Sequence, residues 1–261
     1  MDVTRLREIY TEGFELIRHF RPSQRLADNW RPFVPEEFDA TLAVEEHRWF
    51  WRPDSVKFVL LAESHVYTNT DDLLCKVEVS MLPTAGQGSP SQFARFIYCL
   101  GYGNNVILNR IPVQPNTGTN DFWELLGKCA GTWEGVVGGL KWEVKTLEAM
   151  KEKGIWLVDA SIHACMDPRR DKRWRNLGAN CRETLYRNLI NLSWEYVGPE
   201  IKNAEEVWYV GKTLKSVLHD DMLDQTKYIP QPAGCRNPII RQEYNQQLKG
   251  LLAAINRVCG G

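Results

Sequence analysis

The feature that most constrains this fold is an apolar run that ends abruptly in polar residues. Residues 56–61 are apolar at nearly every position, and Ala62-Glu63-Ser64-His65 follows directly. Such a run predicts a strand buried on both faces, which is typical of a parallel sheet covered by helices. Ligands bind at the carboxyl ends of the strands in these sheets. Glu63, Ser64 and His65 are therefore candidate site residues.

The rest of the chain alternates between helical and strand patterns. Apolar periodicity predicts helices over 3–20, 36–49, 91–100, 121–129, 140–153, 179–196 and 238–258, and a short helix that ends at 218. Apolar runs predict further strands at 106–108, 155–158, 207–210 and 226–231. Helices placed between strands are typical of right-handed crossovers in a parallel sheet.

We therefore expect one α/β domain over residues 1–261. Its architecture would be a three-layer sandwich with a central, mostly parallel four-stranded sheet flanked by helices. Residues 1–55 would form an N-terminal helical extension packed on that sandwich. No linker or internal repeat divides the chain.

Composition restricts the classes of partner and location. With a formal net charge of -1, the chain has no global basic field, so a nucleic acid would have to be held by a local patch. No apolar stretch has the length of a membrane span, and the first residues lack the order of a signal peptide. We expect an intracellular protein, cytoplasmic or nuclear, without a membrane partner. The seven cysteines include no C-x-x-C pair and favour reduced thiols.

Polar residues follow four of the predicted strands, and these strand ends converge at one edge of a parallel sheet. The four ends are Glu63-Ser64-His65, Asp159, Gly211-Lys212 and Gln231. Two carboxylates and an amide at one edge would suit metal binding, hydrolysis or recognition of a nucleobase. The chain has no G-x-S-x-G and no Rossmann fingerprint, and Gly211-Lys212 lacks the glycine-rich turn of a phosphate-binding loop.

Histidines and basic residues add further candidates. The five histidines share no metal-ligand spacing, so we expect neither a metal nor a cofactor. His65 and His163 follow strand ends, where each is a ligand, a base or, more commonly, a structural histidine. Residues 169–175 combine five basic side chains with a tryptophan, which is typical either of a phosphate-contacting patch or of a solvated loop. Residues 47–52 mix arginine and aromatic rings, and we expect them to cover the core.

The ordered strand ends resemble motifs of the uracil-DNA glycosylase superfamily. Ala62-Glu63-Ser64-His65-Val66 stands where that family has G-Q-D-P-Y, G-M-N-P-G or G-E-A-P-G, and Leu157-Val158-Asp159-Ala160 resembles its L-L-N-A segment. Residues 207–212 are similar to its third strand, which ends in glycine. Gln231-Pro232-Ala233-Gly234 matches the spacing of H-P-S or N-P-S-G. The resemblance covers residues 56–261, with departures at Ala62, His65, Asp159 and Gln231.

The resemblance implies a DNA glycosylase-like hydrolase of base excision repair, which cleaves the N-glycosidic bond of a flipped damaged or deaminated base. The protein would act as a monomer on single- or double-stranded DNA. Glu63, preferred over Ser64 and His65, would activate water, and Gln231 would donate its amide to the leaving base. Substrate binding would fall to Asp159, Tyr67, Phe93 and His163. The residues expected to contact the DNA backbone are Arg169, Arg170, Lys172, Arg173, Arg175 and Arg236.

Asp159 leaves a choice open at this stage. An ionised carboxylate only accepts hydrogen bonds, so it favours a base that presents an amino or ring N–H donor. Uracil offers its N3–H, but the carbonyls on either side would meet the charge, so either Asp159 is protonated or the substrate is another base. Two other functions also remain open. One is a non-catalytic nucleic-acid-binding relative, and the other is a hydrolase or transferase acting on free nucleosides or nucleotides.

Overall fold

A computed structural model describes residues 1–21, 32–118, 120–166, 175–218 and 227–260. The fold is α/β, with a four-stranded parallel central sheet flanked by helices. This arrangement is consistent with the expected three-layer sandwich. None of the described helices combines the length and the apolarity that a membrane span needs.

The helices and strands have the following bounds in chain order. The helices are α1 (Val3–His19), α2 (Phe38–Phe50), α3 (Asn120–Ala130), α4 (Leu140–Lys153), α5 (Arg175–Ile201), α6 (Lys212–Val217) and α7 (Pro238–Cys259). The strands are β1 (Val34–Pro35), β2 (Phe58–Ala62), β3 (Ile155–Asp159), β4 (Cys165–Met166), β5 (Glu206–Val210) and β6 (Tyr228–Ile229). Short 3-10 helices lie at Asp72–Leu74, Val79–Met81, Thr84–Gly86, Asn105–Ile107 and Pro232–Gly234.

The central sheet has the strand order β3-β2-β5-β6, and all of its neighbouring strands are parallel. Strand β2 is buried at every position because it has a neighbour on each side and helices above and below, as its apolar sequence predicts. A separate two-stranded antiparallel sheet joins β1 to β4. It ties the segment before α2 to the chain that follows β3.

Helices pack on the sheet and on one another to form one main core. Helix α4 contacts β3, and α7 contacts β2, β5 and β6. Helix α1 packs on α2 and α5. The turn from α4 into β3 requires Gly154, which has φ +77°, because a Cβ there would lie 2.7 Å from the carbonyl oxygen of Ser55. Asn237 caps α7 by accepting from the backbone N–H of Ile239 at 2.9 Å.

The helix predicted over 91–100 is wrong. The structure has turns there, with every residue from Phe93 to Leu100 buried. The backbone N–H groups of this segment donate to other parts of the chain, including the Arg95 N–H to Thr68 Oγ1 at 2.9 Å and the Phe93 N–H to the carbonyl of Cys75 at 3.4 Å. The apolar spacing therefore reflects burial on all sides rather than one face of a helix.

Two predicted strands also differ from the structure. Residues 106–108 form the end of a 3-10 helix followed by one bridge from Leu108 to Val77. The strand predicted over 226–231 is shorter, because only Tyr228–Ile229 pairs with β5 and residue 226 lies outside the described residues. The prediction for α5 was too short, since the helix runs from Arg175 to Ile201.

Candidate active site

The carboxyl ends of the strands are held level by backbone pairing. Ala62, the last residue of β2, lies opposite Asp159 of β3 on one side and Val210 of β5 on the other. Pairing continues past the strands, because Ala160 N–H donates to the Ala62 carbonyl at 2.7 Å and Ser161 N–H to the Glu63 carbonyl at 3.1 Å. The polar residues that follow these strands are therefore fixed side by side.

A cavity of about 90 Å³ lies at this edge of the sheet. Five of the residues singled out in the sequence line it together: Glu63, Ser64, His65, Asp159 and Gln231. The other lining residues are Ala62, Val66, Arg95, Phe96, Ile97, Tyr102, Phe122, Leu157 and Val210. The cavity thus joins acidic and amide side chains from three separate strand ends to an apolar wall.

Aromatic rings form part of that wall. Phe96 and Tyr102 come from the buried turns after residue 92, and Phe122 comes from the first turn of α3. The Phe96 and Tyr102 side chains are themselves almost fully buried. Planar apolar rings beside a few polar groups are typical of a small-molecule site, and they favour a flat ligand.

Asp159 belongs to a buried ion-pair cluster that extends beneath the cavity. Its Oδ2 accepts from Nη2 of Arg48 at 2.5 Å, and Arg48 also pairs with Glu45. All three side chains are at most 3% exposed. The Arg48 guanidinium lies 4.9 Å from the centre of the Phe96 ring, so the same arginine supports the aromatic wall.

His65 continues the cluster on the other side of Asp159. Its Nε2 bonds to Glu36, and its Nδ1 lies 3.5 Å from Asp159 Oδ2, too far for a strong hydrogen bond. Burial alone lowers the pKa of His65, but the carboxylates of Glu36 and Asp159 outweigh burial and raise that pKa to about 9. Glu36 is fixed in turn, because it accepts from Thr41 Oγ1 at 3.1 Å and from Thr68 N–H at 3.3 Å. His65 is thus a buried cation between two carboxylates.

Arg95, which lines the cavity, holds neighbouring loops together. Its guanidinium pairs with Asp72, with Nε 2.8 Å from Oδ2, and donates to the carbonyls of Gln114 at 3.0 Å and Pro115 at 3.1 Å. Asp72 also accepts from Val113 N–H at 2.9 Å. One buried ion pair therefore holds three loop segments in place beside the site.

Three residues predicted to bind substrate are not among the residues that line the cavity. Phe93 is fully buried in the main core. Tyr67 is half-buried near Glu36, where burial and then that carboxylate raise its pKa. His163 stacks on Tyr10 with ring centres 5.9 Å apart, and burial lowers its pKa to about 4, so its imidazole is neutral at pH 7.

The structure describes only some of the residues that were predicted to contact DNA. Arg236 is exposed, between the 3-10 helix that follows Gln231 and the start of α7. Arg169, Arg170, Lys172 and Arg173 lie outside the described residues, and so does the side chain of Arg175. Within the described part of the chain, no group of three or more His, Cys, Asp or Glu side chains is placed to hold a metal ion.

Sequence reasoning missed the residues from the N-terminal segment that build this site. Glu36, Glu45 and Arg48 lie before β2, outside the stretch that resembles the glycosylase motifs. Glu45 and Arg48 stand three residues apart on α2, a spacing that is usual for a solvated ion pair. The signal available in the sequence was that Glu45 directly follows the apolar residues Ala43 and Val44.

No family model, no curated protein and no solved structure matches this chain.

Proposed function

We propose that this protein is a DNA glycosylase-like hydrolase that cleaves the N-glycosidic bond of a flipped damaged base. One observation carries the proposal: a single cavity is lined by Glu63, Asp159 and Gln231, which come from three different strand ends. The motif order that resembles the uracil-DNA glycosylase superfamily assigns these same residues to the reacting water, the base edge and the leaving base. The geometry and the resemblance therefore support one chemistry.

Hydrolysis here needs a base for water and a donor for the departing group. Glu63 takes a proton from a water molecule whose oxygen bonds to C1′ of the sugar. The bond from C1′ to the base nitrogen breaks, and its electron pair stays on the base. Gln231 donates its amide N–H to the negative charge that develops there, and the proton held by Glu63 neutralises the departing base. The products are the free base and an abasic sugar.

The small volume of the cavity favours one base over a whole nucleotide. Its volume of about 90 Å³ is well below the ~300–1,000 Å³ of sites for drug-sized ligands. A base extruded from a strand would lie against Phe96, Tyr102 or Phe122 while its sugar stays at the mouth beside Glu63. Exposed Arg236 would contact the adjacent phosphate or enter the duplex.

The test is base release from oligonucleotides that carry uracil, hypoxanthine, xanthine or oxidised pyrimidines. Glu63→Gln should lower the single-turnover rate about 10²–10⁴-fold, which is the usual contribution of a general base. Glu124→Gln is the matched control, because Glu124 is a half-buried carboxylate on α3 that is paired with Lys128 and does not line the cavity. Its rate should stay at the wild-type value.

Three outcomes would contradict all or part of the proposal. Release at the wild-type rate by Glu63→Gln would remove Glu63 from the mechanism. Salt-dependent DNA binding without release of any base would identify a non-catalytic nucleic-acid-binding protein. A nucleoside hydrolase would instead turn over free nucleosides, and reversing the charges across residues 169–175 would leave that turnover intact.

A further inference from the structure

We infer that the base admitted to this cavity presents an exocyclic amino group to Asp159, so that the substrates are damaged cytosines or adenines that keep this group. The inference rests on the proposed function and narrows its substrate class. It depends on the protonation state of one buried carboxylate, which the surrounding side chains determine.

Arg48 fixes the ionised form of Asp159. The guanidinium is protonated at every accessible pH, and its Nη2 donates to Asp159 Oδ2 at 2.5 Å. The pair is shielded from water, since the Arg48 and Asp159 side chains are 2% and 3% exposed. A neutral Asp159 would leave this buried cation paired only with Glu45.

His65 adds a second cation on the same oxygen. Its Nδ1 lies 3.5 Å from Asp159 Oδ2, while its Nε2 is held by Glu36. Arg48 and protonated His65 both carry only donors, and both face Oδ2. A proton on Asp159 would therefore have to bind Oδ1, and the neutral carboxyl would lose its electrostatic attraction to two buried positive groups. The protonated alternative that the sequence left open is thus disfavoured by the packing.

The free carboxylate oxygen then acts only as an acceptor. The contacts of Asp159 with Arg48 and His65 use Oδ2, so Oδ1 is the oxygen available to a base in the cavity. An amino group donates to Oδ1, whereas a carbonyl oxygen in the same place would meet a second acceptor inside a desolvated site. Uracil and hypoxanthine carry a carbonyl where cytosine and adenine carry the amino group. The site is built to select the amino form.

The test uses two lesions that differ at C4, where one carries an amino group and the other a carbonyl, and N3 changes with it from an acceptor to an N–H donor. Duplexes carrying 5-hydroxycytosine or 5-hydroxyuracil at one position are compared in single-turnover release by the wild-type protein. We expect release of 5-hydroxycytosine to be at least about 10-fold faster, because a charge-assisted hydrogen bond is lost with the other base. Equal rates, or faster release of 5-hydroxyuracil, would overturn the inference.

Asp159→Asn provides the second comparison. Its amide both donates and accepts, so the ratio of the two rates should fall to about one or reverse. Circular dichroism and urea unfolding establish that the variant is folded. If it does not fold, the wild-type ratio alone decides the matter. A folded variant that keeps the wild-type preference would show that Asp159 does not read the base.

Failure of the proposed function gives a different result from failure of this inference. If no duplex loses its base, the hydrolase proposal falls, and equilibrium binding of free 5-hydroxycytosine and free 5-hydroxyuracil to the full chain decides the inference. At least about 10-fold tighter binding of 5-hydroxycytosine would support the inference, since the same hydrogen bond to Asp159 distinguishes the two bases. Equal affinity, or binding of neither base, would overturn it.

Discussion

Replacing Arg48 with methionine tests whether this arginine compensates the buried carboxylates under the cavity. Methionine keeps much of the apolar stem of Arg48 but removes the charged guanidinium, which lies over the Phe96 ring. Removing one partner of a buried ion pair costs about 3–5 kcal/mol, because the other charge stays buried and uncompensated. Here Glu45 and Asp159 both lose a partner, and Asp159 retains His65 only at 3.5 Å. We therefore expect Arg48→Met to destabilise the fold at the upper end of that range.

Urea unfolding at pH 7 measures this cost as a change in midpoint at constant slope. A loss of about 4–5 kcal/mol is a large part of the ~5–15 kcal/mol that stabilises a typical domain. Arg187→Met is the control, because Arg187 and Glu183 form an ion pair at 3.6 Å with side chains 46% and 40% exposed. Such a surface pair contributes at most about 1 kcal/mol. Adding Glu45→Gln to Arg48→Met should recover part of the loss. Equal shifts for Arg48→Met and Arg187→Met would show that Arg48 does not compensate the buried carboxylates.

Three further predictions concern the packing around the site. The pKa of His65 is raised to about 9 in the folded state, so protonated His65 adds roughly 3 kcal/mol to the free energy of unfolding. This contribution is complete below pH 6.5 and is lost as pH rises through 9. In urea unfolding, the stability of His65→Gln should not show this dependence on pH. Gly13→Ala should lower the thermal midpoint despite better helix propensity, because its Cβ would overlap the buried His163 ring. Gly139→Ala, which has open space around its Cβ, should cost no more than the weaker N-cap it gives α4. Tyr98→Phe should speed amide exchange at Leu157, whose N–H donates to the Tyr98 hydroxyl at 2.8 Å.

Local sequence patterns were enough to predict the sheet and most helices. Helix α4 begins and ends at the predicted residues, and α1, α2, α3 and α7 agree to within two residues at each end. Their apolar faces pack on one core, so periodicity and packing give the same answer. The segment at 91–100 was mispredicted because its backbone bonds to distant residues such as Thr68, which no local pattern reveals.

The sequence also indicated which strand ends would meet, but not what surrounds them. Glu63, Asp159 and Gln231 line one cavity because parallel strands end at the same edge. The arginine that pairs with Asp159 comes from α2, 111 residues away in the chain, and the histidine beside it is held by Glu36 from the loop before α2. The periodicity of a helix or a strand gives no information about such long-range pairs. The aromatic wall was missed for the same reason, since Phe96 and Tyr102 lie in irregular turns.

The most direct test of the central claim is a crystal structure of Glu63→Gln bound to a duplex that carries one 2′-fluoro-5-hydroxycytidine, whose glycosidic bond resists hydrolysis. We expect this base to leave the helix and occupy the cavity, with Phe96 or Tyr102 against its ring and its amino nitrogen within ~3.2 Å of Asp159 Oδ1. A base that stays stacked in the duplex, above a cavity that holds only solvent, would contradict the central claim.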